Sequence, residues 1–247
     1  MRILIANDDG IYSPGIAALA EVARRFGHVR VVAPDVEQSS AGHAITASRP
    51  VRYRRTKIFD EIDAYRVDGT PADCVALGAY HWERVDVVLS GINLGPNLGN
   101  ATWHSGTLAA AKQAVLLGIR GIALSAPVSD EDADFSALEP WVERTLELLL
   151  QDGQPDLVNV NFPRKPCGMR WTSQAVDHYD GKVVPGEDPM GRQHYWFTVE
   201  PLERKREGTD LWAVENGYVS LTPLRLDLTD HRELQRVADG IPVELHG

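Results

Sequence analysis

The chain has 247 residues, 43% hydrophobic and 24% charged, with a formal net charge of -10 at pH 7; it is long enough for one large domain or two small ones and has the balance of an ordinary globular protein. No apolar stretch approaches the ~20 residues that span a bilayer, and the amino terminus lacks the basic-then-apolar layout of a secretory signal, so a cytoplasmic protein without a membrane partner is expected. The negative charge opposes a phosphate backbone, which excludes a nucleic-acid polymer as the expected partner and leaves small phosphorylated ligands open, since a bound divalent cation can supply positive charge locally.

Residues 2–6, "RILIA", form an all-apolar run after Arg2, as expected of a strand buried on both faces. In "SPGIAALAEVARRFG", Ser13 takes the N-cap position and Pro14 the first helical position, with Gly27 past the end. Residues 29–34 give a second strand, so the chain opens with a βαβ unit. The stretches 45–59 and 64–69 alternate polar and apolar residues and read as an antiparallel excursion. Thr70 and Pro71 start a helix over 71–80, with Asp73 placed for a capping box. Then follow a strand over 85–90, a helix over 105–118, a strand over 121–125, a helix over 140–153 and a strand over 156–163.

Repeated βα units predict a three-layer α/β/α, Rossmann-like fold with a mainly parallel sheet. After residue 165 the texture changes. Stretches 169–176, 194–200 and 217–224 are β-like, whereas 180–193 and 203–210 are turn-rich and charged. The expected division is an α/β catalytic core over 1–165 and a β-rich C-terminal extension over 166–247, or one domain overall. Cys74 and Cys167 are far apart, so neither a disulfide framework nor a cysteine zinc site is indicated.

Ligands of an open α/β sheet sit where the carboxyl ends of the strands meet, and three polar segments follow predicted strands. "NDDG" after the first is well suited to a turn. A turn needs one such side chain, however, and the adjacent carboxylates Asp8 and Asp9 repel unless a cation lies beside them. "PDVEQSSAGHAIT" after the second offers Ser39 and Ser40, either as plain loop or as neutral oxygen ligands. "SGINLGPNLGNATWHSGTLAAAK" supplies Asn93 and Asn97 and then Ser105 and Thr107 at a helix start, either as N-capping alone or as an anion cradle. It matches neither GxGxxG nor the P-loop.

Carboxylates, a hydroxyl and an amide oxygen across from such a helix terminus favour a hard cation, Mg²⁺ or Mn²⁺, and a phosphoryl group. The expected reaction is phosphate ester hydrolysis, with the cation absorbing charge and acidifying a water. One aspartate acting as base or nucleophile is the alternative.

"ILIANDDGIYSPGI", "VVAPDVEQSSAGHAIT", "VDGTPADCV", "VLSGINLGPNLG", "HSGT", "VNVNFP" and "EGTDLWAVENGYVSLTPLRLDLT" resemble, in order, the signature segments of the survival protein SurE family of nucleoside monophosphate phosphatases. The resemblance implies a cytoplasmic 5'/3'-nucleotidase with one divalent cation per subunit, some members also trimming short polyphosphate. It implies Asp8, Asp9, Ser39 and Asn93 as metal ligands. It also implies that Ser105, Gly106 and Thr107, with Asn97 nearby, form the phosphate side. It also implies a homodimer or homotetramer that exchanges C-terminal elements. His104 stands where that family often has Tyr and Leu108 where it often has Val; His104 reads better as a packing or capping residue than as a proton donor. Two further readings compete. A haloacid-dehalogenase-like phosphatase would want DxD rather than adjacent aspartates, and a non-catalytic nucleotide-binding module would need no metal pair. Trp103, Tyr179, Tyr195 and Trp196 are aromatic candidates for stacking a base, or for core and interface.

Overall fold

The computed structural model describes residues 1–59, 61–127, 134–176, 181–199 and 206–238. Its centre is β1 (Arg2–Ala6), which pairs in parallel with β2 (His28–Pro34) on one side and β5 (Val87–Leu94) on the other. Outward from β2 lie β4 (Asp63–Val67), parallel to it, and then β3 (Tyr53–Thr56), antiparallel at the edge. Outward from β5 lie β6 (Arg120–Ala126) and β7 (Leu157–Asn161), both parallel. Two later strands complete this nine-stranded sheet: β11 (Tyr218–Pro223) runs antiparallel to β7, and β8 (Gly168–Trp171) runs parallel to β11.

Helices cover both faces. Ile3, Ile5 and Val31 pack with Leu19 of α1 (Pro14–Ala23) and Leu146 of α4 (Glu139–Leu149), while Leu4, Val32 and Val88 pack with Cys74 and Val75 of α2 (Pro71–Tyr80) and Ala110 and Ala114 of α3 (Gly106–Leu116). Successive residues of β1 thus enter opposite layers, which is why its sequence is apolar throughout. The expected three-layer, mainly parallel architecture is observed, and the order of strands changes direction between β1 and β5. At such a switch point the loops leave in opposite directions and open a crevice.

Several boundaries differ from the sequence expectation. The antiparallel pair β3–β4 exists, but β4 lies inside the main sheet, in register with β2 from Arg30↔Asp63 to Pro34↔Val67, and residues 45–52 carry no strand. Buried Ala64 and Val67 explain the capture of β4 by the core. The strand expected over 85–90 runs on to Leu94 past a register shift between Ser90 and Asn93, and the helix expected to reach 153 ends at Leu149. Within the stretch expected as turns, Gly181–Glu187 is a strand, β9, paired antiparallel with β10 (Gln193–Val199). Trp196 opposite Val184 and Phe197 opposite Val183 supply the cross-strand pairs that outweigh the neighbouring Gly and Pro. A five-residue 3₁₀ turn (Gly99–Trp103) and two short helices, α5 (Asp210–Glu215) and α6 (His231–Ala238), had no clear signal in the sequence.

The helix starts follow their caps. Ser13 accepts from Gly15 N, and Thr70 and Asp73 form the full capping box. Asp73 also accepts from Thr46 N at 3.0 Å, and the Thr70 hydroxyl donates to Ala44 O at 2.7 Å, so the cap of α2 anchors the long loop after β2. Asp73→Ala is expected to cost about 1–2 kcal/mol, read in a thermal melt as a Tm drop of roughly 2–8 °C.

Candidate active site

β1 ends at Ala6, and the chain then turns through Asn7, Asp8, Asp9 and Gly10. Asn7 closes that turn by donating from Nδ2 to Gly10 O at 2.9 Å, so the turn reading of this segment holds. It aims Asp8 across the crevice at the start of α3. Asp8 is only 5% exposed. Its Oδ1 accepts from the Thr107 hydroxyl at 2.7 Å, and the Gly106 and Thr107 backbone further favours its charged form. Burial nevertheless dominates and pushes the Asp8 carboxyl above its ordinary value.

The contact requires a glycine at 106: a Cβ there would lie 2.6 Å from Asp8 Cβ and 2.9 Å from its Oδ2. Ser105 caps α3 by accepting from Leu108 N at 3.1 Å, and its own O–H remains a donor. The N-cap reading of Ser105 therefore holds, and Asp8 itself occupies part of the positive end of the helix.

A buried polar network supports this pair from below. The Asn97 side-chain nitrogen donates to the Thr107 hydroxyl oxygen at 3.2 Å and to Ser125 Oγ on β6 at 2.9 Å. With that bond taken, the Thr107 proton is directed to Asp8. The Asn97 backbone is gripped in turn by β7: its N–H donates to Asn161 Oδ1 at 2.8 Å, and its C=O accepts from Asn159 Nδ2 at 2.8 Å and Asn161 Nδ2 at 3.1 Å. Two strands and a helix thus fix one asparagine.

Asp9, less buried, accepts from Leu94 N at 3.3 Å, which brings it to the end of β5 beside Asn93. Asn93 commits its nitrogen to Gly95 O at 2.7 Å, leaving the amide oxygen as the end offered elsewhere. The loop carrying Ser39 is tied to both sides of the crevice, by Gln38 N to Asp8 O at 2.7 Å and by Gly42 N to His104 O at 3.0 Å. Ser39 itself is exposed, and its hydroxyl bonds Glu37. Asp8 therefore meets Gly106 and Thr107 directly and Asn97 through Thr107, Ser105 caps the same helix start, and Asp9 and Asn93 flank it. Ser39 sits on the adjoining loop with its side chain turned to Glu37.

His104 ends the 3₁₀ turn, a capping position. Trp103, Tyr195 and Trp196 are exposed; Tyr179 lies outside the described residues. A recess of about 670 Å³ lined by Met1, Arg2, His28, Glu83, Arg84 and Asp86 lies at the amino ends of β1 and β2, opposite the crevice.

The donors near Asp8 are two carboxylates and neutral oxygens, and among the described residues no cluster of three or more His, Cys, Asp or Glu side chains could hold a metal. That set fits a hard divalent cation rather than zinc. A buried carboxylate held by a hydroxyl and backbone groups, with its charge disfavoured by burial, is likewise a group that a cation would relieve. Asn159, Asn161, Ser125 and Asp210, which donate to or accept from the loop after β5, were not singled out from the sequence. Asn159 and Asn161 did carry a signal: two amides at spacing two in an otherwise apolar buried strand share one face.

Comparison with known proteins came to one family. A family model described as "Survival protein SurE" matches residues 3–181. A Thermus thermophilus protein named 5'-nucleotidase SurE 1 is 49% identical over 243 residues, covering 96% of this chain and 97% of its own length. A Deinococcus radiodurans protein named 5'-nucleotidase SurE is 43% identical, covering 98% and 93%. The crystal structure of a SurE protein from Aquifex aeolicus superposes with a TM-score of 0.82 at 40% identity, over 97% of this chain and 99% of that one.

Two outcomes follow from the buried Asp8. Its folded pKa is raised, so its ionisation opposes folding as pH climbs from the ordinary value of 3.8 through the elevated one. In cation-free buffer Asp8→Asn is expected to melt a few degrees above the wild type at pH 7, at ~2–4 °C per kcal/mol for a chain of this size, with the advantage vanishing below about pH 4. Gly106→Ala is expected to displace Asp8 and to speed amide hydrogen exchange over residues 7–10 at least tenfold, while α3 remains folded by circular dichroism.

Proposed function

The chain belongs to the survival protein SurE family, and from that premise we propose that it is a divalent-cation-dependent nucleotidase that hydrolyses nucleoside 5'- and 3'-monophosphates to nucleoside and phosphate, and short polyphosphate as well. The observation that carries the reading is the Asp8 carboxylate, buried at the β1–β5 switch point against the start of α3, with Asp9 and Asn93 beside it. The names of the relatives support the nucleotidase class, and the chemistry of the donors supports the cation.

Asp8, Asp9 and Asn93 would hold Mg²⁺ or Mn²⁺, with Ser39 joining after its hydroxyl turns from Glu37. When bound, the cation supplies positive charge toward the phosphoryl oxygens and acidifies a water. The remaining work falls to the chain. Thr107 donates to Asp8 and fixes the direction of its second oxygen. The Ser105 O–H would face the incoming phosphoryl group and, with the positive field at the start of α3, favour its developing negative charge. Asn97, locked by Asn159, Asn161 and Ser125, keeps the helix start and the loop after β5 in register, so that donors need not reorganise during reaction. Asp9 would accept a proton from the attacking water. Net charge is unfavourable for an anionic substrate at a distance, so the local cation rather than long-range steering brings the nucleotide in.

We further propose a cytoplasmic homodimer or homotetramer built through the C-terminal region. No helix among the described residues is long and apolar enough to cross a membrane. The β9–β10 hairpin stands outside the main sheet and exposes Tyr195, Trp196 and Phe197, the last 83% exposed, which favours burial against another copy.

Phosphate release from AMP should require Mn²⁺ or Mg²⁺ and stop on addition of chelator. Asp9→Asn is expected to lower kcat at least a hundredfold with the fold intact. Full activity in the presence of chelator, or undiminished cation-dependent turnover in both Asp8→Asn and Asp9→Asn, would overturn the assignment.

A further inference from the structure

The loop that delivers Asn97 has a second support, and it comes from the far end of the chain. Asp210, the first residue of α5, is fully buried. One oxygen accepts from Gly99 N at 2.9 Å; the other accepts from Ala175 N at 2.9 Å and Leu211 N at 2.8 Å. Burial pushes its carboxyl up and these N–H groups oppose the rise. An acidic residue serving only the start of its own short helix would sit in solvent and have no reason to reach Gly99, 111 residues away in sequence.

Gly99 is gripped at its other groups too. Gln174 Nε2 donates to Gly99 O at 2.8 Å and to the Thr102 hydroxyl at 2.8 Å, and Thr102 donates to Gly99 O at 2.9 Å. The residue has φ +51°, and a Cβ on it would fall 2.7 Å from Ala175 O. Its N–H, its carbonyl and its Cα are therefore all fixed by residues after 172.

We propose that Asp210, with Gln174, is a positioning residue for the phosphoryl-binding loop: it clamps Gly99 so that Asn97 on one side and the turn leading to Ser105 on the other keep their places. The inference rests on the reading that the Asn97–Thr107 segment seats the phosphoryl group. β7 holds the loop at Asn97 and the C-terminal third holds it at Gly99, with the 3₁₀ turn between them and α3. An aspartate suits the task because its two acceptor oxygens serve three N–H groups; an asparagine has only one acceptor oxygen. Loss of the clamp leaves Gly99 N–H buried without an acceptor, and the loop then moves to find one. Asp9 and Asn93 lie upstream of the clamped residue, so the cation ligands they provide are expected to stay in place.

The test uses the full chain with Asp210→Asn and, separately, Gln174→Met, which removes the Gln174 bonds to Gly99 O and Thr102, leaves the Thr102 bond to Gly99 O and does not alter the buried charge. Three readouts are compared with wild type: amide hydrogen exchange over residues 97–104, calorimetric binding of Mn²⁺ and of inorganic phosphate in its presence, and KM and kcat for AMP. The clamp predicts at least tenfold faster exchange over 97–104 with β1 and β2 unchanged. It also predicts at least tenfold weaker phosphate binding and a matching rise in KM, with Mn²⁺ affinity within twofold. Gln174→Met should shift the same quantities in the same direction by less. Wild-type exchange and phosphate affinity in a folded Asp210→Asn would overturn the inference, as would acceleration spread evenly over the whole chain. Should Asp210→Asn fail to fold, unchanged 97–104 exchange in Gln174→Met overturns it. A wild type that releases no phosphate from AMP would sink the nucleotidase reading, while the exchange data would still decide the clamp.

Discussion

A carboxylate taken out of water is the constraint around which this molecule is arranged. Asp8 gives up its hydration and recovers one hydroxyl bond from Thr107 and the favourable field of a helix start, which is less than water offered. Keeping it there requires a missing side chain at Gly106, a proton direction at Thr107 set by Asn97, and an Asn97 backbone bonded on both sides by β7. Each support costs little alone; together they hold a charge where a charge is unfavourable. That is the condition under which a divalent cation binds with most effect, since it relieves a penalty already present.

The sheet explains why these groups meet. Reversal of strand order between β1 and β5 opens a gap where the loops after those two strands leave the core, and α3, reached from β5 through the 3₁₀ turn, has its amino end at that gap. Side chains from β6 and β7 then reach the same spot because Ser125, Asn159 and Asn161 stand at or near the carboxyl ends of adjacent parallel strands. The geometry is a consequence of parallel topology rather than of any one motif.

The C-terminal third belongs to this arrangement. β8 and β11 extend the main sheet beyond β7, and the segment between them returns Gln174 and Asp210 to the loop after β5. Among the described strands of this third, the β9–β10 hairpin forms its own sheet. A buried aspartate at the start of a six-residue helix makes sense in this light: it ties the last part of the chain to the first.

Legible from sequence alone were the alternation of strands and helices, the caps at Ser13, Thr70 and Ser105, and the polar residues that the carboxyl ends of the strands bring together. These are local properties: apolar period, cap chemistry and the residues following each strand. The sequence did not determine that β4 joins the core, that residues 181–187 form a strand, or that Asp210 faces Gly99. Those outcomes depend on which partner a segment meets, and the partner lies tens of residues away. Asn159 and Asn161 fall between the two cases, since their spacing marked one face of a buried strand, but what they hold was set only when β7 came to lie beneath Asn97. Tertiary structure decided the pairing because a hydrogen bond in the interior is made with whatever group the fold brings within 3 Å or so, irrespective of its distance along the chain.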